Sequence, residues 1–221
     1  MEEDIRYLPC YRLSDAAFYL RVPISTLRAW VGRHHGFEPL ITPAKDRPLL
    51  LSFINLVEAY VLAVMRRKYC ISMPKIRQAM DYIRKEFKSR HPLAEKEFET
   101  DGLHLFLRIS GALVNITQRG QIEIEEVIKQ YLRRIERDPR GLPVRLYPFS
   151  RKGEPDEPRL IIIDPRISFG RPVLAERGIS VEVIVERYRA GESIEELVRD
   201  YECTQGEIEE AIRYELWREA A

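Results

Sequence analysis

The chain has 221 residues, room for two or three small domains. Its apolar fraction of 45% supports packed cores, its charged fraction of 32% suits a soluble protein, and no run approaches the roughly 20 apolar residues of a membrane span. The net charge of +1 is unevenly spread: residues 1–90 hold 16 Lys/Arg against 9 Asp/Glu, whereas residues 180–221 hold 5 against 12. A basic front suits a polyanion, and an acidic rear is repelled by one.

The first informative stretch is Tyr11 to Arg33, YRLSDAAFYLRVPISTLRAWVGR. Ser14 is the expected N-cap of a first helix, with Ala17, Phe18 and Leu20 on its buried side. Arg21-Val22-Pro23 interrupts the pattern, because proline disfavours helical geometry in the residue before it. A second helix is expected from about Ile24, with Leu27, Trp30 and Val31 at helical spacing. Small Ala17 permits a close helix crossing and Val22 fills the corner, which is the build of a helix-turn-helix. Its outward side carries Ser25, Thr26 and Arg28, followed by Arg33, His34 and His35. These side chains suit phosphate contacts, and arginine also reads guanine edges. A helical hairpin that only packs gives the same pattern, and Arg21 stands where such turns often use glycine.

Gly36 to Pro48 reads as a loop, with Lys45 and Arg47 as candidate backbone contacts of a wing or as ordinary solvated residues. Ser52 is the expected cap of a long helix to about Tyr69, with Phe53, Leu56, Val57, Tyr60, Val61 and Val64 on its apolar side. A further helix starts near Met73, with Pro74 in its first turn and Ile76, Ala79, Met80, Ile83 and Phe87 on one side. Its cations Lys75, Arg77, Arg84, Lys85 and Lys88 suit solvent, DNA or the flank of a dimer contact equally.

After His91-Pro92 the period changes. Leu103, Leu105 and Leu107 alternate with His104 and Phe106, which predicts a strand, and Leu113 to Ile116 is expected to pair back after Ser110-Gly111. A helix is expected over about Ile124 to Arg137, with Val127, Ile128, Tyr131, Leu132 and Ile135 buried, stopped by Asp138-Pro139-Arg140-Gly141. Arg151 to Pro158 is polar and broken by prolines, a linker by composition. Leu160 to Ile163 reads as a short strand. Three helical patterns follow: Val181/Ile184/Val185/Tyr188, Ile194/Leu197/Val198/Tyr201 and Ile208/Ala211/Ile212/Leu216. Ser193 with Glu196 and Thr204 with Glu207 form capping boxes, and Gly191 ends the first helix.

The expected fold is therefore mainly α with small β elements. Residues 1–90 form a winged helix-turn-helix and residues 91–150 a small α/β module for spacing or dimerisation. Residues 151–159 link these to a C-terminal trihelical, homeodomain-like domain over residues 160–221.

Chemistry is sparse. Cys10, Cys70 and Cys203 form no pairwise motif, favouring free thiols over disulfides or zinc. His34, His35, His91 and His104 lack metal-ligand spacing, and the glycines never cluster into a phosphate loop. The reading is of a non-enzyme with no metal and no cofactor. The acidic N-terminus lacks a signal-peptide core, so a cytoplasmic protein is expected, without membrane attachment.

Ile163 to Tyr214 resembles the family catalogued as domain of unknown function 433. The likeness is carried by Ile163-Asp164-Pro165, Gly170-Arg171-Pro172-Val173, Gly191-Glu192-Ser193 with Glu196-Leu197, and Asp200-Tyr201. Many members have Gly-Thr-Arg-Ile where this chain has Glu176-Arg177-Gly178-Ile179. Members are regarded as VapB-like antitoxins, commonly beside a PIN or PIN-like nuclease toxin. Upstream, Ser25-Thr26-Leu27-Arg28-x-Trp30 and Ile76-Arg77-x-Ala79 resemble a MerR-type winged helix-turn-helix.

Together the resemblances imply an antitoxin that neutralises a nuclease and represses its own operon. Operator recognition calls for two copies, as a homodimer or a toxin–antitoxin hetero-oligomer. Arg171, Arg177 and Arg213 are the implied basic contacts to the toxin, with Leu216 and Trp217 as apolar ones. Trp217 suits a cap on the domain's own core equally well. The alternative is a stand-alone MerR-like regulator with a ligand-sensing middle and tail.

Overall fold

The computed structural model describes residues 4–32, 38–69, 71–111, 118–151 and 153–216. They form a mainly helical chain with three two-stranded sheets, divided into two compact units, Met1–Val144 and Arg145–Ala221. Residues 91–144 thus share a unit with the N-terminal helices, and residues 151–159 share one with the C-terminal helices.

In the first unit, α1 (Leu13–Leu20) buries Ala16, Ala17 and Leu20, and α2 (Ile24–Val31) buries Leu27, Trp30 and Val31. Ser14 is not the cap: α1 begins at Leu13 after Arg12, whose carbonyl takes the Ala16 N–H at 3.0 Å. The Ser14 hydroxyl instead lies 3.3 Å from the Asp15 carboxylate. Arg21 ends α1 in the left-handed region, at φ 54°, and the Val22 N–H returns to the Ala17 carbonyl at 2.9 Å. An arginine thus takes the conformation for which glycine is ordinarily used. Val22 is buried, and α2 starts directly after Pro23.

β1 (Lys45–Asp46) and β2 (Leu49–Leu50) make a tight antiparallel hairpin. The next helix, α3 (Phe53–Tyr69), is buried on every side from Phe53 to Leu62, as the central helix of a core must be. Its start is capped reciprocally: the Asn55 N–H donates to Ser52 Oγ at 3.2 Å, and the Ser52 N–H donates to Asn55 Oδ1 at 3.1 Å. α3 packs on α1, on the 3₁₀ turns Ile5–Tyr7 and Pro92–Ala94, and on α6 (Gln118–Leu132). Within that core the Tyr60 hydroxyl donates to the Tyr131 carbonyl at 2.9 Å.

α4 (Met73–Phe87) buries Ile76, Ala79, Met80 and Ile83. Two of its cations have structural partners. Arg77 donates to the carbonyls of Glu38 at 3.0 Å and Ala29 at 3.4 Å, and Arg84 donates to those of Pro39 and Leu40.

Leu103 to Leu107 is not a strand. It lies in α5 (Leu103–Ile109), entered through a wide helical turn at Phe98–Gly102. Leu103, Phe106 and Leu107 are buried at helical spacing, while the intervening His104 is exposed. The alternating leucines misled because this segment is apolar at nearly every position, and a short apolar run fits either period. A β-carbon at Gly102 would lie 2.9 Å from the Phe98 ring, so a larger residue there would push that ring aside. The return strand expected at Leu113 to Ile116 lies outside the described residues.

α6 starts and stops earlier than expected. Val127 is on its exposed side, and Ile135 lies in β3 (Ile135–Arg137), which pairs with β4 (Pro143–Leu146). Asp138 organises the turn between them. Its carboxylate accepts the N–H groups of Arg140 at 2.9 Å and Leu142 at 3.0 Å, and also the Arg6 guanidinium at 2.7 Å.

In the second unit, β5 (Ile161–Ile162) pairs antiparallel with β6 (Val173–Leu174), and Ile163 bridges to Leu146. α7 (Val181–Arg189), α8 (Ile194–Tyr201) and α9 (Gln205–Leu216) pack against one another pairwise. Both expected capping boxes form. The Ser193 N–H donates to Glu196 and the Thr204 N–H to Glu207, each at 2.8 Å, with the return bonds in place.

The stretch read as a linker is built around Glu157. Its buried carboxylate accepts the backbone N–H groups of Ser150, Arg151, Gly153 and Glu154. Glu157→Ala is expected to cost about 1–2 kcal/mol, because these donors lose a charged acceptor but water reaches the turn. Urea unfolding of the full chain measures this, and an unchanged midpoint would refute it.

Candidate functional site

The candidate site residues fall on two surfaces, one in each unit. On α2, Ser25 and Arg28 are exposed and Thr26 is half-exposed, opposite the buried Leu27, Trp30 and Val31. Lys45, on β1, and Arg47, in the hairpin turn, are exposed as well. Arg33 and His34 lie outside the described residues. Exposed hydroxyls and cations on one short helix and one hairpin are chemically suited to phosphate oxygens and base edges.

In the second unit, the segment between β5 and β6 is organised by Asp164, which is closed to solvent. Its carboxylate accepts the Arg166 N–H and Nε at 2.9 Å each, Arg166 Nη2 at 2.7 Å and Arg145 Nε at 3.0 Å. Burial pushes this carboxyl up, but the hydrogen bonds from Arg166 and Arg145 outweigh burial and hold it below the ordinary carboxylate value. Two partly exposed arginines thus share one carboxylate.

Past that turn, Phe169 projects into solvent and is 91% exposed. Arg171 is exposed and pairs with Glu182 at 3.0 Å. Arg177 is exposed in the Glu176–Gly178 turn, where Gly178 takes φ 68°.

Arg213 and Leu216 sit on α9. Leu216 is exposed, and Arg213 pairs with the buried Glu210, which also accepts from Ser150 and, at 3.0 Å, from Arg151. Burial pushes the Glu210 carboxyl up and these donors more than reverse it. Glu210 thus ties α9 to the Ser150 turn, while Arg213, exposed, pairs with it within the helix. Trp217 lies outside the described residues.

Phe169, Asp164 and Glu157 escaped the site reading altogether. An exposed aromatic reads as core in any hydropathy pattern, and a carboxylate shared by Arg145 and Arg166 needs tertiary structure to be seen.

Among the described residues no three His, Cys, Asp or Glu side chains gather as metal ligands. His91 contacts the buried Glu58 at 2.9 Å, and His104 contacts Glu125 at 2.5 Å. Among the described residues, no helix is long and apolar enough to cross a membrane.

Against known proteins, residues 161–214 match the family described as "Protein of unknown function (DUF433)". The match spans the segment whose motifs resemble that family, Ile163 to Tyr214. The whole chain is 28% identical over 241 aligned positions to the protein named "Putative antitoxin VapB45" of Mycobacterium tuberculosis (strain ATCC 25618 / H37Rv), covering 96% of each chain. The similarity to that protein runs along nearly the full length of both chains. Its fold is similar to the crystal structure of Rv2018 from Mycobacterium tuberculosis, with a TM-score of 0.71 at 25% identity, over 93% of this chain and 98% of that one.

Proposed function

We propose that this chain is the antitoxin of a type II toxin–antitoxin pair. It binds and neutralises a cognate PIN or PIN-like ribonuclease through the second unit. Through the first it binds operator DNA and represses its operon. The observation that carries this reading is the end-to-end similarity to the protein named "Putative antitoxin VapB45", which spans both units and not only the DUF433 segment. On this proposal α1 and α2 act as a MerR-like helix-turn-helix, with β1 and β2 as its wing. The charge division supports it: residues 1–144 hold 24 Lys/Arg against 18 Asp/Glu, and residues 145–221 hold 12 against 17. The first unit carries the positive charge that a polyanion rewards.

Neutralisation asks for occlusion of the toxin and no catalysis by the antitoxin. Operator binding would be cooperative with dimerisation, since one recognition helix reads one half-site.

The deciding experiment is co-expression with the product of the adjacent gene. That product is expected to be toxic alone, harmless with this chain present, and recovered as a stable complex. Absence of both toxicity and complex would favour a stand-alone MerR-like regulator and a search for its small-molecule effector. For the DNA arm, Arg28→Ala is expected to weaken operator binding by about 1–3 kcal/mol at fixed salt. An unchanged mobility-shift titration would remove Arg28 from the interface.

A further inference from the structure

The hairpin of the first unit is flanked by a third extended segment. Tyr11 forms an antiparallel bridge with Leu51, donating to its carbonyl at 2.9 Å and accepting its N–H at 2.8 Å. The next residue is still extended, with Arg12 at φ −71° and ψ 156°, and α1 begins only at Leu13. In antiparallel pairing the partners run in opposite directions, so the step from Tyr11 to Arg12 matches the step from Leu51 back to Leu50. Leu50 is itself the partner of Lys45. Arg12, Leu50 and Lys45 therefore make one row across three neighbouring segments.

Residues opposite one another in a sheet project from the same face, and successive residues alternate. Burial follows that rule. Tyr11 and Leu51 are buried, whereas Arg12 and Lys45 are exposed and Leu50 between them is half-buried. Asp46 opposes Leu49, one step along, so its carboxylate belongs to the other face of the hairpin. Two strand spacings put the α-carbons of Arg12 and Lys45 about 10 Å apart.

Among the described residues neither of these side chains has a hydrogen-bond or ion-pair partner, and the same holds for Arg28 on α2 and Arg47 in the hairpin turn. Other arginines of this unit are taken up structurally: Arg6 pairs with Asp4 and Asp138, and Arg84 donates to the carbonyls of Pro39 and Leu40. The acidic residue nearest Arg12 in sequence, Asp15, lies in the first turn of α1 and contacts the Ser14 hydroxyl.

We infer that Arg12 is a phosphate contact of the operator complex, carrying the hairpin's cationic row onto the entry of α1. Two uncompensated cations on one face of an ordered scaffold match the repeated charge of a nucleic-acid backbone. The row stands on the hairpin and its flanking segment, away from the recognition helix, so Arg12 positions the protein and reads no base. The inference rests on the DNA-binding arm of the reading above and is independent of the toxin arm.

The test titrates the full chain with a duplex spanning the region upstream of its own gene, and with an unrelated duplex of equal length, over a series of salt concentrations. One phosphate contact contributes about 0.9 to the slope of log affinity against log salt. Arg12→Ala is therefore expected to flatten the slope by about that amount and to weaken binding about fivefold at about 0.15 M salt, on both duplexes alike. Arg12→Lys keeps the charge and is expected to keep the slope. Arg12→Ala combined with Lys45→Ala is expected to flatten it by about twice as much. The Arg12 side chain is exposed and unpaired among the described residues, so melting of Arg12→Ala should match wild type.

Wild-type binding with affinity and slope unchanged in Arg12→Ala would overturn the contact and leave the DNA reading standing. No wild-type binding to either duplex would remove both. Weakening confined to the upstream duplex would make Arg12 a base reader, and weakening with an unchanged slope would make its role structural. Each of these overturns the phosphate assignment. So does sedimentation of the free chain as a dimer that Arg12→Ala converts to monomer with the slope unchanged, which would place the row between two copies.

Discussion

A chain ending at Val144 is expected to lose toxin neutralisation completely while keeping operator binding. The cut follows the division into compact units, so it leaves α3 inside its own core of α1, α6 and the surrounding turns. It removes the proposed toxin contacts Arg171, Arg177 and those of α9. It also removes more negative charge than positive, and the remaining 144 residues carry 24 Lys/Arg against 18 Asp/Glu, a net charge of +6. Affinity for DNA at low salt should therefore rise slightly, because long-range repulsion from the acidic unit is gone. Growth of cells co-expressing the toxin reads the first arm, and a mobility-shift titration at fixed salt reads the second. Rescue of growth by the truncated chain would move the toxin surface into the first unit. Loss of DNA binding with a folded fragment would mean that operator recognition needs the second unit.

How much of this was legible beforehand depended on whether an element declares itself locally. The two short helices at Leu13–Leu20 and Ile24–Val31 stand where apolar spacing and Pro23 put them. Both C-terminal capping boxes form because Ser or Thr followed three residues later by Glu needs only local geometry. The DUF433 segment was legible for another reason: its motifs are several and spaced. Leu103 to Leu107 failed because five nearly continuous apolar residues satisfy both periods, and packing decided for the helix. Glu157 was illegible in a different way. Its stretch has the composition of a flexible linker, yet one buried carboxylate gathers four backbone donors and orders it. Phe169 was hardest, since exposure is a tertiary property and its left-handed backbone leaves no mark in the residues around it.

Asp164→Ala is expected to destabilise the full chain by about 2–3 kcal/mol at neutral pH. Breaking a buried ion pair costs more where the stranded charge stays buried. Here the side chains of Arg145 and Arg166 are 38% and 56% exposed, so water recovers part of the loss. The carboxylate is inaccessible yet shallow, which lowers the cost of burying it and argues for the same moderate figure. Asp164→Asn should fall between the two, because the amide oxygen still accepts the Arg166 N–H but carries no charge.

The pH dependence gives a second signature. The folded carboxyl is held below its ordinary value of 3.8, so its stabilisation is present above that value and disappears as pH falls through the lowered one. Glu210, lowered from 4.5, contributes in the same direction from a slightly higher pH. Wild-type stability should therefore decline on acidification from about pH 5, and Asp164→Ala should show a shallower decline. Identical slopes for the two chains would show that Asp164 is not held as a low-value carboxylate.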